Sequence, residues 1–160
     1  MKKVLCLMFA LLLTACAQQH SFVLMDSTVL DQSTWLVWTK NANPAGKQLE
    51  WRSDDNVYAF ILQMNSSNFA GYADWRVPTR EEMAGLIAYA KSKGYDPGKY
   101  ETWPYQQLRQ AGFVDVRDYG YWTSSRKSSQ EMWVANLASG RILPQPDSKP
   151  YYLWPVRGGK

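Results

Sequence analysis

The sequence has very few of the side chains on which metal centres, disulfide frameworks and imidazole catalysis depend. Its two cysteines are Cys6 and Cys16, and its one histidine is His20, so neither residue type occurs after position 20. Zinc fingers, disulfide scaffolds and His-based triads are therefore excluded for the rest of the chain. We expect no metal ion and no cofactor.

Carboxylates are the remaining candidates for acid–base chemistry. Asp54, Asp55, Glu81 and Glu82 could form such pairs, but each stands near a predicted helix start. Negative charge at a helix N-terminus is stabilised by the helix dipole, which is the simpler explanation. The sequence therefore predicts a protein that is not an enzyme.

A strong excess of charge of one sign is also lacking. The 160 residues carry a net charge of +4, with 46% hydrophobic and 14% aromatic residues. This composition excludes a disordered tail and a histone-like polycation, and it predicts one folded domain with no nucleic-acid partner.

The first residues have the order of a secretory signal. Lys2 and Lys3 precede an uncharged run at 4–13, which is too short for a comfortable transmembrane helix. The run ends in Leu13-Thr14-Ala15-Cys16, which looks like a bacterial lipobox. We therefore predict a signal peptide at 1–15, a tether at 16–21 that is lipidated on Cys16 by palmitate-like acyl chains, and a domain at 22–160.

The residue after Cys16 bears on localisation. In many bacterial lipoproteins, an Asp directly after the lipidated cysteine retains the protein in the inner membrane. This chain has Ala17 at that position, and by similarity to this sorting rule we expect it in the outer membrane of a bacterial cell envelope. Several acyl chains on one residue give stable membrane attachment.

Periodicity and capping residues predict helices in the middle of the chain. A first helix is expected over 53–65 with Ser53 as N-cap, and a second begins with the capping box of Thr79 and Glu82. The apolar stripe of the second helix is Met83, Leu86, Ile87 and Ala90, with Gly94 past its end. A shorter helix is expected at 104–111, before Gly112.

Strand patterns occupy both ends of the chain. They fall at 22–25, 28–30, 35–39, 119–124, 132–137, 141–143 and 152–156, with a hairpin turn at Ser139-Gly140. Strands at the ends and two main helices between them predict a single α+β domain.

Several of these segments together resemble one family. They are residues 28–31 (TVLD), 36–40 (LVWTK), 71–82 (GYADWRVPTREE), 121–125 (YWTSS), Trp133-Val134 with Gly140, and 155–158 (PVRG). In this order they resemble the C-terminal domain of the Legionella collagen-like adhesin, formerly a domain of unknown function. One departure is Trp35, where that family usually has Gly.

A second, more distant resemblance concerns the architecture. The segment 76–82 and the final 156–159 also look like the formylglycine-generating enzymes, whose fold is C-type-lectin-like. This resemblance implies that the terminal strands pair beside irregular loops. It does not carry the activity, because those enzymes need reactive cysteines and this chain has none after Cys16.

Aromatic residues are plentiful, with eight Trp and ten Tyr. Six tryptophans lie inside predicted elements or family motifs and are expected in the core: Trp35, Trp38, Trp51, Trp75, Trp122 and Trp133. Four aromatic residues beside prolines are expected at the surface as ligand contacts: Trp103, Tyr105, Tyr151 and Tyr152.

Basic residues are concentrated towards the C-terminus. Residues 16–116 hold nine Lys or Arg against eleven Asp or Glu, whereas 117–160 hold seven against three. Five of these cations are candidate ligand-binding residues: Arg117, Arg126, Lys127, Arg141 and Lys149. We expect turns to bring Arg126, Lys127 and Arg141 together. Their partner would be a glycan or another anionic polymer, and the alternative is a structural or assembly role with envelope proteins.

One short triplet matches a calcium-dependent sugar site. Gln145-Pro146-Asp147 is the motif that galactose-type C-type lectins use, and its amide and carboxylate are hard oxygen ligands. The downstream Trp-Asn-Asp partner is absent, and the triplet is also ordinary turn composition. An ordinary turn is therefore favoured.

Overall fold

The part of the chain that the structure describes forms a mixed α+β fold with three α-helices and two antiparallel sheets, besides two short 3-10 helices at Phe69–Gly71 and Tyr100–Thr102. The computed structural model describes residues 20–52 and 56–159, so the predicted signal peptide, Cys16 and Ser53 lie outside the described residues. The elements are β1 (Phe22–Leu24), β2 (Thr28–Asp31), β3 (Leu36–Thr39), α1 (Val57–Ser66), α2 (Arg80–Ser92), α3 (Pro104–Gln110), β4 (Gly120–Arg126), β5 (Glu131–Asn136), β6 (Arg141–Pro146) and β7 (Val156–Gly158). The α+β prediction is confirmed.

The two ends of the domain meet in one sheet. This sheet has the order β1-β2-β3-β7, and the last strand pairs antiparallel with β3 through Trp38 and Val156. The other sheet is the meander β4-β5-β6. Pairing of terminal strands agrees with the architecture that the resemblance implied, while the specific C-type-lectin-like relationship stays a prediction.

The first helix begins three residues later than its sequence pattern predicts. Asn56, in extended conformation, is the N-cap, and its side-chain oxygen accepts hydrogen bonds from the amides of Tyr58 at 2.8 Å and Ala59 at 2.9 Å. The prediction of Ser53 as N-cap was wrong. Asn caps a helix as well as Ser does, and here it stands directly before the first buried apolar residue, Val57.

The second helix begins as the sequence predicts. The Glu82 amide donates to Thr79 Oγ1 at 3.2 Å, and the Thr79 amide donates to Glu82 Oε2 at 2.7 Å. Arg76 donates to both Glu82 oxygens, at 2.6 and 2.8 Å. The carboxylate of Glu82 therefore serves the helix start, and the four residues of the apolar stripe are all buried.

Replacing Thr79 by alanine should cost about 1 kcal/mol of stability, because the Glu82 amide loses its acceptor at the helix start. Glu82 keeps its partner Arg76, so the effect stays limited to the cap. Denaturant midpoints of wild type and Thr79→Ala measure the loss. Coincident midpoints would show that Thr79 is not the cap.

The core is built largely from aromatic side chains. Trp38, Trp75, Trp122 and Trp154 are each at most 2% exposed. The indole N–H of Trp122 donates to the Leu49 carbonyl at 2.8 Å, and that of Trp154 donates to the Thr39 carbonyl at 2.9 Å. The indole N–H of Trp75 donates to the Phe69 carbonyl at 3.0 Å, so three of the four buried indoles are hydrogen-bonded as well as packed. This packing stabilises a domain whose described residues contain no cysteine.

Trp35 departs from the expected core position. It lies in the turn between β2 and β3, is 50% exposed, and has a left-handed backbone with φ of 60°. Glycine adopts this conformation at the least cost, which gives a physical reason for the Gly that the resemblance implies here. The prediction that Trp35 is a core residue was wrong. The sequence pattern predicted a strand over 35–39, but Trp35 still belongs to the turn before β3.

Candidate functional site

The meander β4-β5-β6 separates the five candidate cations into two groups. Arg126 pairs with Met132 near the turn between β4 and β5, whereas Arg141 pairs with Asn136 at the other end of β5. Successive turns of an antiparallel meander lie at opposite ends of the sheet, about 20 Å apart for strands of this length. The expectation that Arg141 joins Arg126 and Lys127 was wrong.

We call the end of the sheet with residues 126–131 the hairpin end. Lys149 belongs to it, because its amide bonds the Pro146 carbonyl and Pro146 pairs with Glu131. Arg117 precedes β4 and therefore lies at the opposite end with Arg141. There Arg117 is bonded to Asp115 at 2.6 Å and stands over the Tyr152 ring.

Two cations flank a tryptophan at the hairpin end. The Arg80 guanidinium lies 3.9 Å from the centre of the Trp133 ring, and the Lys127 ammonium lies 5.8 Å from it. The Arg80 amide donates to Ser125 Oγ at 3.0 Å, which docks the start of α2 on β4. Arg80 and Lys127 are exposed and Trp133 is half-buried, so this aromatic ring and its cations border on solvent.

Two further arginines are held by one buried carboxylate. Asp147 Oδ2 accepts from Arg52 Nε at 2.7 Å and from Arg126 Nη1 at 3.4 Å. Arg126 also donates to the carbonyls of Ser128 and Ser129, and Arg52 donates to that of Ser129. One carboxylate thus orders the hairpin and keeps two guanidinium groups side by side.

These contacts define a basic surface at the hairpin end. It consists of Trp133 and five cations: Arg52, Arg80, Arg126, Lys127 and Lys149. Among the described residues, the carboxylates that contact it are Asp147 and Glu131, and Glu131 accepts from the Ser128 hydroxyl at 3.2 Å. Within residues 20–52 and 56–159, five positive against two negative side chains give this surface an excess of positive charge. Arg forks suit bidentate binding of sulfate or carboxylate.

The calcium interpretation of the triplet at 145–147 gains no support. Asp147 already accepts from two arginines, whose positive charge opposes a cation at this position. Gln145 Oε1 accepts from the Tyr151 hydroxyl at 3.1 Å. Within residues 20–52 and 56–159, no group of three or more His, Cys, Asp or Glu side chains is placed to hold a metal ion.

Two of the four aromatic candidates are not at the surface. Tyr105 is 1% exposed, and burial, followed by its hydrogen bond with Tyr100, raises its pKa to about 12. Tyr151 is 8% exposed and packs edge-on against Trp122. Trp103 and Tyr152 are half-buried. Neighbouring prolines suggested loops, but Tyr105 lies in α3, and the rings of Tyr105 and Tyr151 both point into the core.

An exposed aromatic residue that the sequence did not single out lies at the opposite end of the meander. Tyr119 is 46% exposed and stacks on Tyr151 with ring centres 6.0 Å apart. Together with Asn136, Leu143 and Gln145 it lines a cleft of about 210 Å³. The cleft combines aromatic, aliphatic and amide groups, a lining that suits an uncharged polar partner.

A cavity of about 380 Å³ lies between the β2–β3 turn and α2. Asp31 Oδ2 and the Ser33 hydroxyl both contact His20 Nδ1, at 2.7 and 3.3 Å. A catalytic triad needs the serine on the other ring nitrogen, so this grouping is not one. The Asp31 carboxylate instead accepts hydrogen bonds from His20, Ser33 and Thr34. These bonds connect the segment before β1 to the β2–β3 turn.

The carboxyl group of Asp31 makes stability sensitive to acid. Burial raises its pKa, but hydrogen bonds from His20, Ser33 and Thr34 outweigh burial and lower the pKa to about 2. Because the unfolded value is about 3.9, the ionised carboxylate stabilises the fold by about 2 to 3 kcal/mol at neutral pH. That contribution is lost as the pH falls from about 4 to about 2.

Asp31→Asn should therefore be clearly less stable than wild type at pH 7. The difference in unfolding free energy should shrink as the pH falls through the acid range, because wild-type Asp31 then becomes protonated too. Urea unfolding of both chains over this pH series measures it. A difference that stays constant down to about pH 2 would contradict the role of the carboxylate.

A family comparison covers the domain that carries these features. The model of the Lcl C-terminal domain matches residues 27–157, from just before β2 into β7. The chain belongs to the Lcl C-terminal domain family. This assignment confirms the resemblance to the Legionella collagen-like adhesin, and it places the chain among adhesin-related domains. The search among curated proteins returned no match.

The Lcl C-terminal domain of this chain contains nearly all of the site. The basic surface and the Tyr119 cleft both fall inside the matched range, whereas β1 and His20 precede it. Sequence reasoning missed Arg52, Arg80 and Trp133 as site residues. Arg80 lies in the family motif at 71–82, but it was read there only as part of a helix start.

Proposed function

We propose that this protein is a lipid-anchored lipoprotein of the bacterial cell envelope, in the outer membrane, whose Lcl C-terminal domain binds an anionic glycan or a similar polymer. The domain acts by binding alone, without catalysis, metal or cofactor. An adhesin-like role follows from such binding at a surface.

The observation that carries the proposal is the pair of cations on Trp133. The Arg80 guanidinium stacks on the face of the half-buried Trp133 ring, which fixes its position. Together with the nearby Lys127 ammonium it can take the sulfate or carboxylate substituents of a sugar. Arg52 and Arg126 extend the positive charge along the hairpin. An acidic polysaccharide presents such substituents repeatedly along its chain.

The anchor is supported by the sequence around Cys16. The lipobox-like ending supplies a lipidation site at this residue. Acyl chains on Cys16 would provide the attachment.

Retention on a heparin-like column tests the binding proposal. The full chain in nonionic detergent should bind at low ionic strength and elute as salt rises, because exposed charges are screened over about 8 Å at physiological salt. A glycan array then identifies the preferred sugar. Absence of retention at low salt would overturn the proposal.

The second candidate is an assembly role with envelope proteins. Tyr119 and Leu143, 46% and 42% exposed, border the cleft at the opposite end from the basic surface and could contact a protein partner. Specific co-purification of envelope proteins that is lost on Tyr119→Ser would favour this role.

A further inference from the structure

We infer that the N-terminal edge of the domain lies against the lipid bilayer. This edge consists of Val23, Leu24 and Met25 in and after β1, together with Val114. Their side chains are 40%, 50%, 38% and 51% exposed. Four large apolar side chains at one edge are more than the scattered single residues that a water-facing surface normally shows.

Hydrogen bonds and packing bring Val114 beside β1. The Val114 amide donates to the Lys40 carbonyl at 2.8 Å, and Lys40 Nζ donates to the Met25 carbonyl at 3.1 Å. Leu24 lies directly on Gly112, where an added Cβ would come within 2.5 Å of Leu24 Cδ1. These contacts group Leu24, Met25 and Val114 around the Lys40 ammonium, while Val23, the neighbouring residue of the edge strand, extends the apolar edge on the other face of the sheet.

The length of the chain before β1 indicates what covers this edge. The inference rests on the proposed anchor at Cys16, which is six residues before Phe22. Six residues span at most about 20 Å, so β1 must stay close to the bilayer. A strand held there, with Val, Leu and Met in sequence, fits the interface between headgroups and acyl chains.

Charge at the edge is compatible with a phospholipid surface. The Lys40 ammonium can reach phosphate oxygens, whereas Asp26 next to Met25 is the acidic neighbour. Because Lys40 and Asp26 offset each other, the apolar side chains and the short tether are the main reasons to place this edge at the bilayer. Pairing with a second copy is less favoured, since a three-residue strand offers few backbone hydrogen bonds.

Position-specific labelling tests the contact. The mature chain would have no cysteine other than the lipidated Cys16, so Leu24→Cys and Val114→Cys each create one labelling site. The matched control is Leu62→Cys, an even more exposed leucine on α1 at 67%. Each full-length, lipidated variant is labelled with an environment-sensitive fluorophore and reconstituted into vesicles of phosphatidylethanolamine and phosphatidylglycerol that contain spin-labelled lipid.

Lipid contact should quench the label at positions 24 and 114 several-fold more than the label at position 62. Equal quenching at all three positions, in chains that float with the vesicles, would overturn the contact while leaving the anchor intact. Labels at 24 and 114 that are shielded from water but not quenched by lipid would indicate a second copy and overturn it too. Chains that fail to float would overturn the anchor and the contact with it.

Discussion

Replacing Cys16 by serine is expected to release the protein from the membrane fraction or to leave an unprocessed precursor. The thiol is the proposed attachment point of the acyl chains, and without them the N-terminal edge provides only weak contact. Fractionation of cells that produce wild type and Cys16→Ser, with immunodetection of the size of each species, measures the effect. Nearly all of the Cys16→Ser protein should be soluble or unprocessed.

The matched control is Cys6→Ser, since Cys6 lies in the predicted signal peptide and should leave with it. This variant should fractionate as wild type does. Membrane partitioning of a fully processed Cys16→Ser protein that equals wild type would rule out the lipid anchor.

Replacing Arg80, Arg126 and Lys127 together by serine should abolish retention on a heparin-like column. If each exposed cation contributes about 1 kcal/mol to the interaction with an anionic polymer, the three changes lower affinity by about 100-fold. Arg52 remains to hold Asp147, so the melting temperature should change little. Column retention and thermal unfolding are measured on the same preparations.

A control triple removes the same charge elsewhere. Lys93, Lys99 and Arg141 are exposed, and they lie towards the end of the meander that is opposite the hairpin end. Their replacement by serine should leave retention nearly unchanged. Equal losses from both triples would mean that net charge, and not the surface around Trp133, governs binding.

Local signals in the sequence were sufficient to predict the second helix and its cap. Thr79 and Glu82 lie three residues apart and bond each other directly, so no distant residue decides the outcome. The strands of the meander could be predicted for a similar reason, since alternation and a Gly140 turn are short-range features.

The composition of the site depends on contacts between distant residues, which spacing does not reveal. Arg52 and Arg126 meet at Asp147, which is 95 and 21 residues away from them. Arg80 reaches Trp133 from another element. The strand pattern around Trp133 predicted a core position for this residue. That pattern gave no reason to expect cations beside its ring.

Other errors came from side-chain direction. Tyr105 lies in α3 and Tyr151 outside the named strands and helices, and both are buried. A proline beside a tyrosine does not say whether its ring faces water. The error at Trp35 is the opposite one, since a residue expected in the core is exposed. Its sequence is typical of a strand, but it lies in a turn with a left-handed backbone. Both kinds of error concern where side chains point, and packing decides that.

The salt dependence of binding tests the central claim most directly. Affinity of the full chain in detergent for a sulfated polysaccharide should be measured over a series of salt concentrations, for wild type and for the Arg80, Arg126 and Lys127 triple variant. We predict wild-type affinity that falls steadily as salt rises, and a variant that binds weakly with a much flatter dependence. Wild-type affinity that is absent at low salt, or that matches the variant throughout, would contradict the claim that the surface around Trp133 binds an anionic polymer.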